Sequence, residues 1–199
     1  MLSWDERYAE AEYVYGKEPN AFLKERAGLI PRGGTVLCLA EGEGRNAVWL
    51  AQQGFKVTGV DSSSVGMGKA QALASERGVS IETQCADLAD YHIEQNHWDG
   101  IVSIFCHVPP PVRQRLHKEA VKGLKSGGIL ILEAYRPKQL EYGTGGPPVA
   151  ELMMQLDMIK QELHGLEWLH AVELDREVVE GKFHTGKGAV VQLVGKKPA

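Results

Sequence analysis

Cysteine is scarce in this chain: only Cys38, Cys85 and Cys106 occur, far apart and each within or beside an apolar run. An odd, scattered set excludes a disulfide framework and shows no metal-ligand spacing, so no metal is expected and a reducing, cytoplasmic setting is. Long apolar stretches are also missing. No segment reaches the length that crosses a bilayer, and the first seven residues carry acids instead of a leader's apolar run, so no membrane association is expected. Basic blocks are absent too: 22 Lys and Arg stand against 26 Asp and Glu, a formal charge of -4, which argues against nucleic acid as a partner. What remains is 199 residues, a length that fits one domain over 1–199 with a core of its own.

The stretch around which the chain is organised is Thr35-Val36-Leu37-Cys38-Leu39-Ala40-Glu41-Gly42-Glu43-Gly44-Arg45-Asn46. An apolar, β-favouring run stops at a glycine turn and a helix-period pattern follows at once, the pattern of a strand, tight loop and helix N-terminus. Ahead of it, Ser3 and Glu6 form a capping-box pattern that predicts a short helix towards residue 13, and Asn20 is placed to cap a second. Behind it, helices over 45–53 and 64–77 alternate with strands over 56–60, 80–85 and 100–105. A helix after Pro109-Pro110-Pro111 leads to a fifth strand over 129–134. Such alternation predicts an α/β fold, a Rossmann-like, mostly parallel sheet with helices on both faces. Two later β-rich runs, 170–179 and 188–194, are joined by too few residues for a crossover helix, so they are expected to pair as an antiparallel hairpin at the sheet edge.

In open α/β sheets ligands sit beyond the carboxyl ends of the strands, and the polar residues fall there. Glu41 to Gly44 follow the first strand, Asp61 the second, Asp87 the third, Cys106 and His107 the fourth, Tyr135 and Arg136 the fifth. An acid after the second strand suits the hydroxyls of a ribose, and one after the third suits an adenine amino group. Two ligands can use such a site. Gly42-Glu43-Gly44-Arg45-Asn46-Ala47 formally matches a dinucleotide fingerprint, which leaves an NAD(P)-dependent oxidoreductase open; a sulfonium such as S-adenosylmethionine suits a pocket rimmed by Glu41, Asp61 and Asp87.

These motifs, together with Trp4-Asp5-Glu6-Arg7-Tyr8, Tyr15-Gly16, Pro19-Asn20, Val60-Asp61, Asp87-Leu88, Trp98-Asp99 and Leu124-Lys125-Ser126-Gly127-Gly128, make the sequence resemble a class I S-adenosylmethionine-dependent methyltransferase, of the type grouped with tellurite-resistance and thiopurine enzymes. The resemblance implies a seven-stranded sheet whose last strand is antiparallel. It implies that Ala40, Glu41, Gly42, Gly44, Arg45 and Asn46 bind the methionine portion of the donor. Asp61 with Ser62 would take the ribose, Asp87 with Leu88 the adenine, and Ile104 and Phe105 would border the cofactor site. Tyr8 and Tyr15, within a helical segment over 1–30, would close as a lid. Two positions depart from the family pattern: Cys38 stands where an acid is common, and Ala40 where a glycine is. Glu41 is the candidate to compensate, and the departures also suit a donor-binding sensor without turnover.

Methyl transfer from a sulfonium is an in-line displacement, so the protein mainly aligns acceptor and methyl and excludes water. The expected partner is a small-molecule methyl acceptor. Thiolates, selenides and reduced metalloids need no base, whereas a hydroxyl does. His107, after the fourth strand, is the catalytic candidate for that base. Arg176 and His184 on the hairpin, and the glycine- and proline-rich 143–148 segment, are placed to reach over the acceptor. Neither the acceptor's identity nor the oligomeric state is set by these patterns.

Overall fold

The computed structural model describes residues 3–181 and 185–199, so His184 lies outside the described residues. Its helices are α1 (Trp4–Tyr8), α2 (Ala21–Arg26), α3 (Arg45–Gln52), α4 (Ser64–Glu76), α5 (Pro110–Gly123) and α6 (Leu156–Glu162). Its strands are β1 (Thr35–Leu39), β2 (Lys56–Asp61), β3 (Glu82–Cys85), β4 (Trp98–Ile104), β5 (Leu124–Tyr135), β6 (Glu167–Val179) and β7 (Thr185–Lys196). They form one seven-stranded sheet in the order β3-β2-β1-β4-β5-β7-β6. β1 to β5 are parallel, and β7 runs antiparallel to both β5 and β6. The expected hairpin is present, with β7 inserted against β5 and β6 as the outer edge.

Near-continuous apolar strands such as Thr35–Leu39 need cover on both faces. One face packs Phe22, Leu23, Val48, Leu50 and Leu73 from α2, α3 and α4. The other packs Leu116, Ala120, Ile159 and Leu163 from α5 and α6. The strand order reverses between β1 and β4, which places the β1 turn at the switch point where α/β sheets hold ligands.

The first helix stops at Tyr8, well short of residue 13. The Lys69 ammonium, from α4, donates to the carbonyls of Glu10 at 2.9 Å and Glu12 at 2.7 Å. It also lies 3.4 Å from the Tyr8 carbonyl, so the acceptors a longer helix would have used internally are drawn to α4 instead. The resulting irregular arm runs along α4, with the Tyr13 hydroxyl donating to the Lys69 carbonyl at 3.0 Å. The 143–148 segment is half-buried to exposed, and a Cβ on Gly146 would meet the Tyr135 ring at 2.8 Å.

Candidate functional site

The β1 turn is shaped by two glycines with different tasks. Gly42 has φ +60 and a Cβ there would fall 2.6 Å from the Tyr8 hydroxyl. Gly66 on α4 faces the same ring, so Tyr8 from the amino-terminal arm is seated between two missing side chains. Gly44 has φ +90, and its Cβ would strike that of Ala70 at 2.6 Å. It lets α3 approach α4. Ala40 adopts φ 51, the left-handed region that costs an alanine about 1–2 kcal/mol, so the glycine the family pattern carries there relieves backbone strain.

The acids of this edge are buried and committed. Glu41 accepts the amides of Asn46 at 3.0 Å and Ala47 at 2.7 Å, closing the first turn of α3. Its stem fits over Gly59 of β2, where a Cβ would lie 3.1 Å from Glu41 Cγ. Burial pushes its pKa up to about 7 against the pull of those amides. Cys38 lies fully buried beside this carboxyl, its thiol raised by burial and then by Glu41. Glu41 therefore occupies the region of the missing acid but spends one oxygen on the helix start. Asp61 accepts from the amides of Gly42 and Ser63, each at 2.9 Å. Ser63 in turn caps α4 and its hydroxyl meets Asp5 of the arm at 2.5 Å. Asp87 is exposed and accepts the Ala89 amide at 2.8 Å, with Leu88 buried beneath it. Ser62 is exposed, and its carbonyl faces the Cys85 thiol at 3.6 Å.

Glu43, the middle residue of the turn, ties the arm down. It accepts the Val14 amide at 2.8 Å and pairs with Lys69 at 2.5 Å. Tyr15 stands edge-on to Tyr8, 6.4 Å between ring centres. Arm and turn are thus one packed unit.

Beyond β4 and β5 lies an aromatic wall. Phe105, with φ 51, stacks on Tyr135 at 4.5 Å, and His107 lies 5.9 Å from the same ring. Ile104 is buried just before it. His107, the candidate base, is tied to backbone on both sides. Its Nδ1 meets the Leu152 carbonyl at 3.0 Å and its Nε2 accepts the Tyr135 amide at 3.2 Å. Only a neutral ring with its proton on Nδ1 satisfies both, and burial lowers its pKa to about 4. Both nitrogens are spent on bracing the chain between β4, β5 and residue 152. Cys106 is buried and its thiol is raised by burial to about 12, as befits a filler of the core.

The side chains of Arg45 and Asn46, at the start of α3, reach Glu180 and Asn20. The Asn46 carbonyl oxygen accepts the Asn20 amide at 2.9 Å, and Arg45 pairs with Glu180 just past β6. Asn20 bridges Glu133 at 2.6 Å and Glu180 at 2.7 Å, while Arg176 forks onto Glu133 at 2.7 and 2.8 Å. Gln192 adds a bond to Glu133 at 2.7 Å. Burial raises Glu180, but the two guanidiniums outweigh it and hold the carboxyl below its usual value. Sequence reasoning missed Asn20, Glu133, Glu180 and Gln192 as members of this box. One signal was there: Glu133 is a charge inside an otherwise apolar strand, and it is fully buried.

The donor named by the resemblance couples a sulfonium cation to an adenosine, and this edge suits it. Glu41, Glu43 and Asp61 are all buried around Gly42, β2 ends at Asp61, and Asp87 lies two residues past the end of β3. A family model described as a methyltransferase domain matches residues 36–128. The chain is 27% identical to a thiopurine S-methyltransferase of Pseudomonas fluorescens, over 96% of this chain and 92% of that one. Among solved structures, TehB from Haemophilus influenzae superposes with a TM-score of 0.74 at 18% identity, covering 98% of this chain and 65% of that one. A structure concerned with conversion of a disulfide bond into a thioacetal group in echinomycin biosynthesis also gives 0.74, at 20% identity, over 98% of this chain and 90% of that one.

Proposed function

We infer that this chain, which carries a class I S-adenosylmethionine-dependent methyltransferase domain, methylates a small-molecule acceptor that arrives already nucleophilic, a thiol in the first instance. The observation that carries the acceptor class is the spent imidazole: with both nitrogens of His107 bonded to backbone, the residue best placed to deprotonate a hydroxyl has no lone pair to offer. A thiol ionises near neutral pH without help. The thiopurine S-methyltransferase likeness over nearly the whole chain supports the same class. The formal charge of -4 without a basic stripe supports a small molecule over nucleic acid. Among the described residues no helix is long and apolar enough to cross a membrane.

When bound, S-adenosylmethionine supplies the methyl: the acceptor sulfur forms a bond to that carbon with its own electron pair while the sulfonium bond breaks, giving a thioether and S-adenosylhomocysteine. In this reading Asp61 and Ser62 hold the ribose, Asp87 and Leu88 the adenine, and the turn from Ala40 to Gly44 the methionine portion. Glu41 holds α3 in place for that turn, and the buried carboxylates favour a cation over a neutral donor. Tyr8, with Tyr15 behind it, covers the turn and excludes water.

Isothermal titration with S-adenosylmethionine and S-adenosylhomocysteine tests donor use, and both are expected to bind. A panel of thiols and matched alcohols, read by release of S-adenosylhomocysteine, tests the acceptor class. Absence of donor binding, or faster methylation of the alcohols, overturns the reading.

A further inference from the structure

Residues 86–97, the described connection from β3 to β4, form no helix, whereas the connections β1–β2, β2–β3 and β4–β5 carry α3, α4 and α5. A helix bonds its own carbonyls, so this segment needs other donors for them. One short turn is closed internally. The Asp87 carbonyl accepts the amides of Asp90 at 3.0 Å and Tyr91 at 2.9 Å, and the Asp87 carboxylate accepts that of Ala89 at 2.8 Å.

The carbonyls of Leu88, Ala89 and Tyr91 are bonded from outside, and a single side chain serves all three. Arg115, on α5, donates from Nη1 to the Tyr91 carbonyl at 2.8 Å, and from Nη2 to the carbonyls of Leu88 and, at 3.1 Å, Ala89. Its Nη1 also meets Glu119, one turn along α5, at 3.0 Å. Glu119 extends the grip, because its other oxygen accepts the Ile93 amide at 3.0 Å. Leu88 and Ile93 are buried in the stretch held this way, while Asp87, Ala89 and Asp90 are exposed. A planar guanidinium fixes three carbonyls relative to one another, which a point charge on a flexible stem does not. Ala89 is the link to the site: its amide bonds the Asp87 carboxylate and its carbonyl bonds Arg115.

We propose that Arg115 is a positioning residue for the donor's adenine: by holding residues 88–91 onto α5 it sets the Asp87 carboxylate where it accepts the 6-amino group. This rests on the reading above that places the adenine at Asp87 and Leu88, and it adds a residue that touches no atom of the ligand.

The test compares S-adenosylhomocysteine with S-inosylhomocysteine, in which a carbonyl replaces the 6-amino group, each titrated calorimetrically into the full chain. A site built to accept an N–H rejects an analogue that presents an acceptor there, so the wild type is expected to bind S-adenosylhomocysteine about tenfold or more tightly than the inosyl compound. Arg115→Met leaves three carbonyls without their donor. It is expected to weaken S-adenosylhomocysteine about tenfold and the inosyl compound by less than about threefold, so that the preference collapses. Arg115→Lys keeps the charge but offers one nitrogen to three carbonyls, so it is expected to lose the preference as well. That variant carries the test if Arg115→Met fails a thermal melt.

A folded Arg115 variant that keeps the wild-type preference overturns the proposal. An equal loss of both ligands overturns it too, because that is the mark of general loosening. A wild type that binds S-adenosylhomocysteine without preferring it to the inosyl compound leaves the donor reading standing and overturns the role of Arg115. A wild type that binds neither refutes the donor reading, and the proposal with it.

Discussion

Replacing His107 with phenylalanine separates a brace from a base. Phenylalanine keeps a flat ring against Tyr135 and Phe105 but leaves the Leu152 carbonyl without its donor and the Tyr135 amide without its acceptor. Each buried backbone group orphaned in this way costs about 1–3 kcal/mol, so two cost about 2–6 kcal/mol. For a chain of this size that is a fall in Tm of roughly 4 to 24 °C, measurable by calorimetry. The turnover number with a thiol acceptor is expected to fall less than about tenfold, with no change in the acidic limb of the pH–rate profile. Stability against pH gives a second readout. The ring's pKa drops from 6.5 to about 4 on folding, so the unfolded chain takes up the proton first and the wild type loses stability as pH falls through that window. The shift bounds this contribution at about 3 kcal/mol, less for a ring that keeps an edge at the surface, and His107→Phe removes it. A variant that melts like the wild type yet loses a hundredfold or more in turnover, with an inflection near pH 6–7 abolished, would show a working general base and refute the bracing role.

The other buried groups respond in directions the structure also sets. Glu41 is raised from 4.5 to about 7, so the wild type loses stability as pH rises across that interval; Glu41→Gln is expected to lack this decline and to be more stable at pH 8 by about 3 kcal/mol in urea titrations. Equal slopes against pH in both proteins would show that the carboxyl is not desolvated. Cys38→Asp places a second buried carboxyl against Glu41, so restoring the family's acid is expected to destabilise the fold by about 3 kcal/mol or more instead of improving donor binding, which a urea midpoint and a donor titration together decide. If Asp61 holds the ribose as proposed, Asp61→Ala is expected to weaken S-adenosylhomocysteine about ten- to a hundredfold by titration; unchanged affinity would move the nucleoside elsewhere.

In the proposed reaction catalysis rests on positioning, with titratable groups employed as structural members. Glu41 secures a helix start, His107 spans two backbone segments, and Glu43 with Lys69 binds the amino-terminal arm to the donor turn. A sulfonium donor makes this sufficient, because its leaving group needs no protonation and a thiolate needs no base.

The sequence by itself determined the layout. Apolar runs such as Thr35–Leu39, the glycine turn and the acids of β1, β2 and β3 are local patterns, and a parallel sheet with its switch point beside β1 follows from their order. The same patterns placed Glu41 just after β1 and His107 just after β4, where the structure has them. What they do decided itself in three dimensions: Glu41 turns onto the amides of α3 because Gly59, eighteen positions later, leaves space for its stem, and His107 is held by a carbonyl from residue 152 while burial keeps its ring neutral. The box of Asn20, Arg45, Glu133, Arg176, Glu180 and Gln192 joins residues from both ends of the chain, and no spacing rule connects them. Periodicity reports which residues share a face, a short-range property. The partner that satisfies a buried charge is chosen by chain closure across the sheet, and only the tertiary structure contains it.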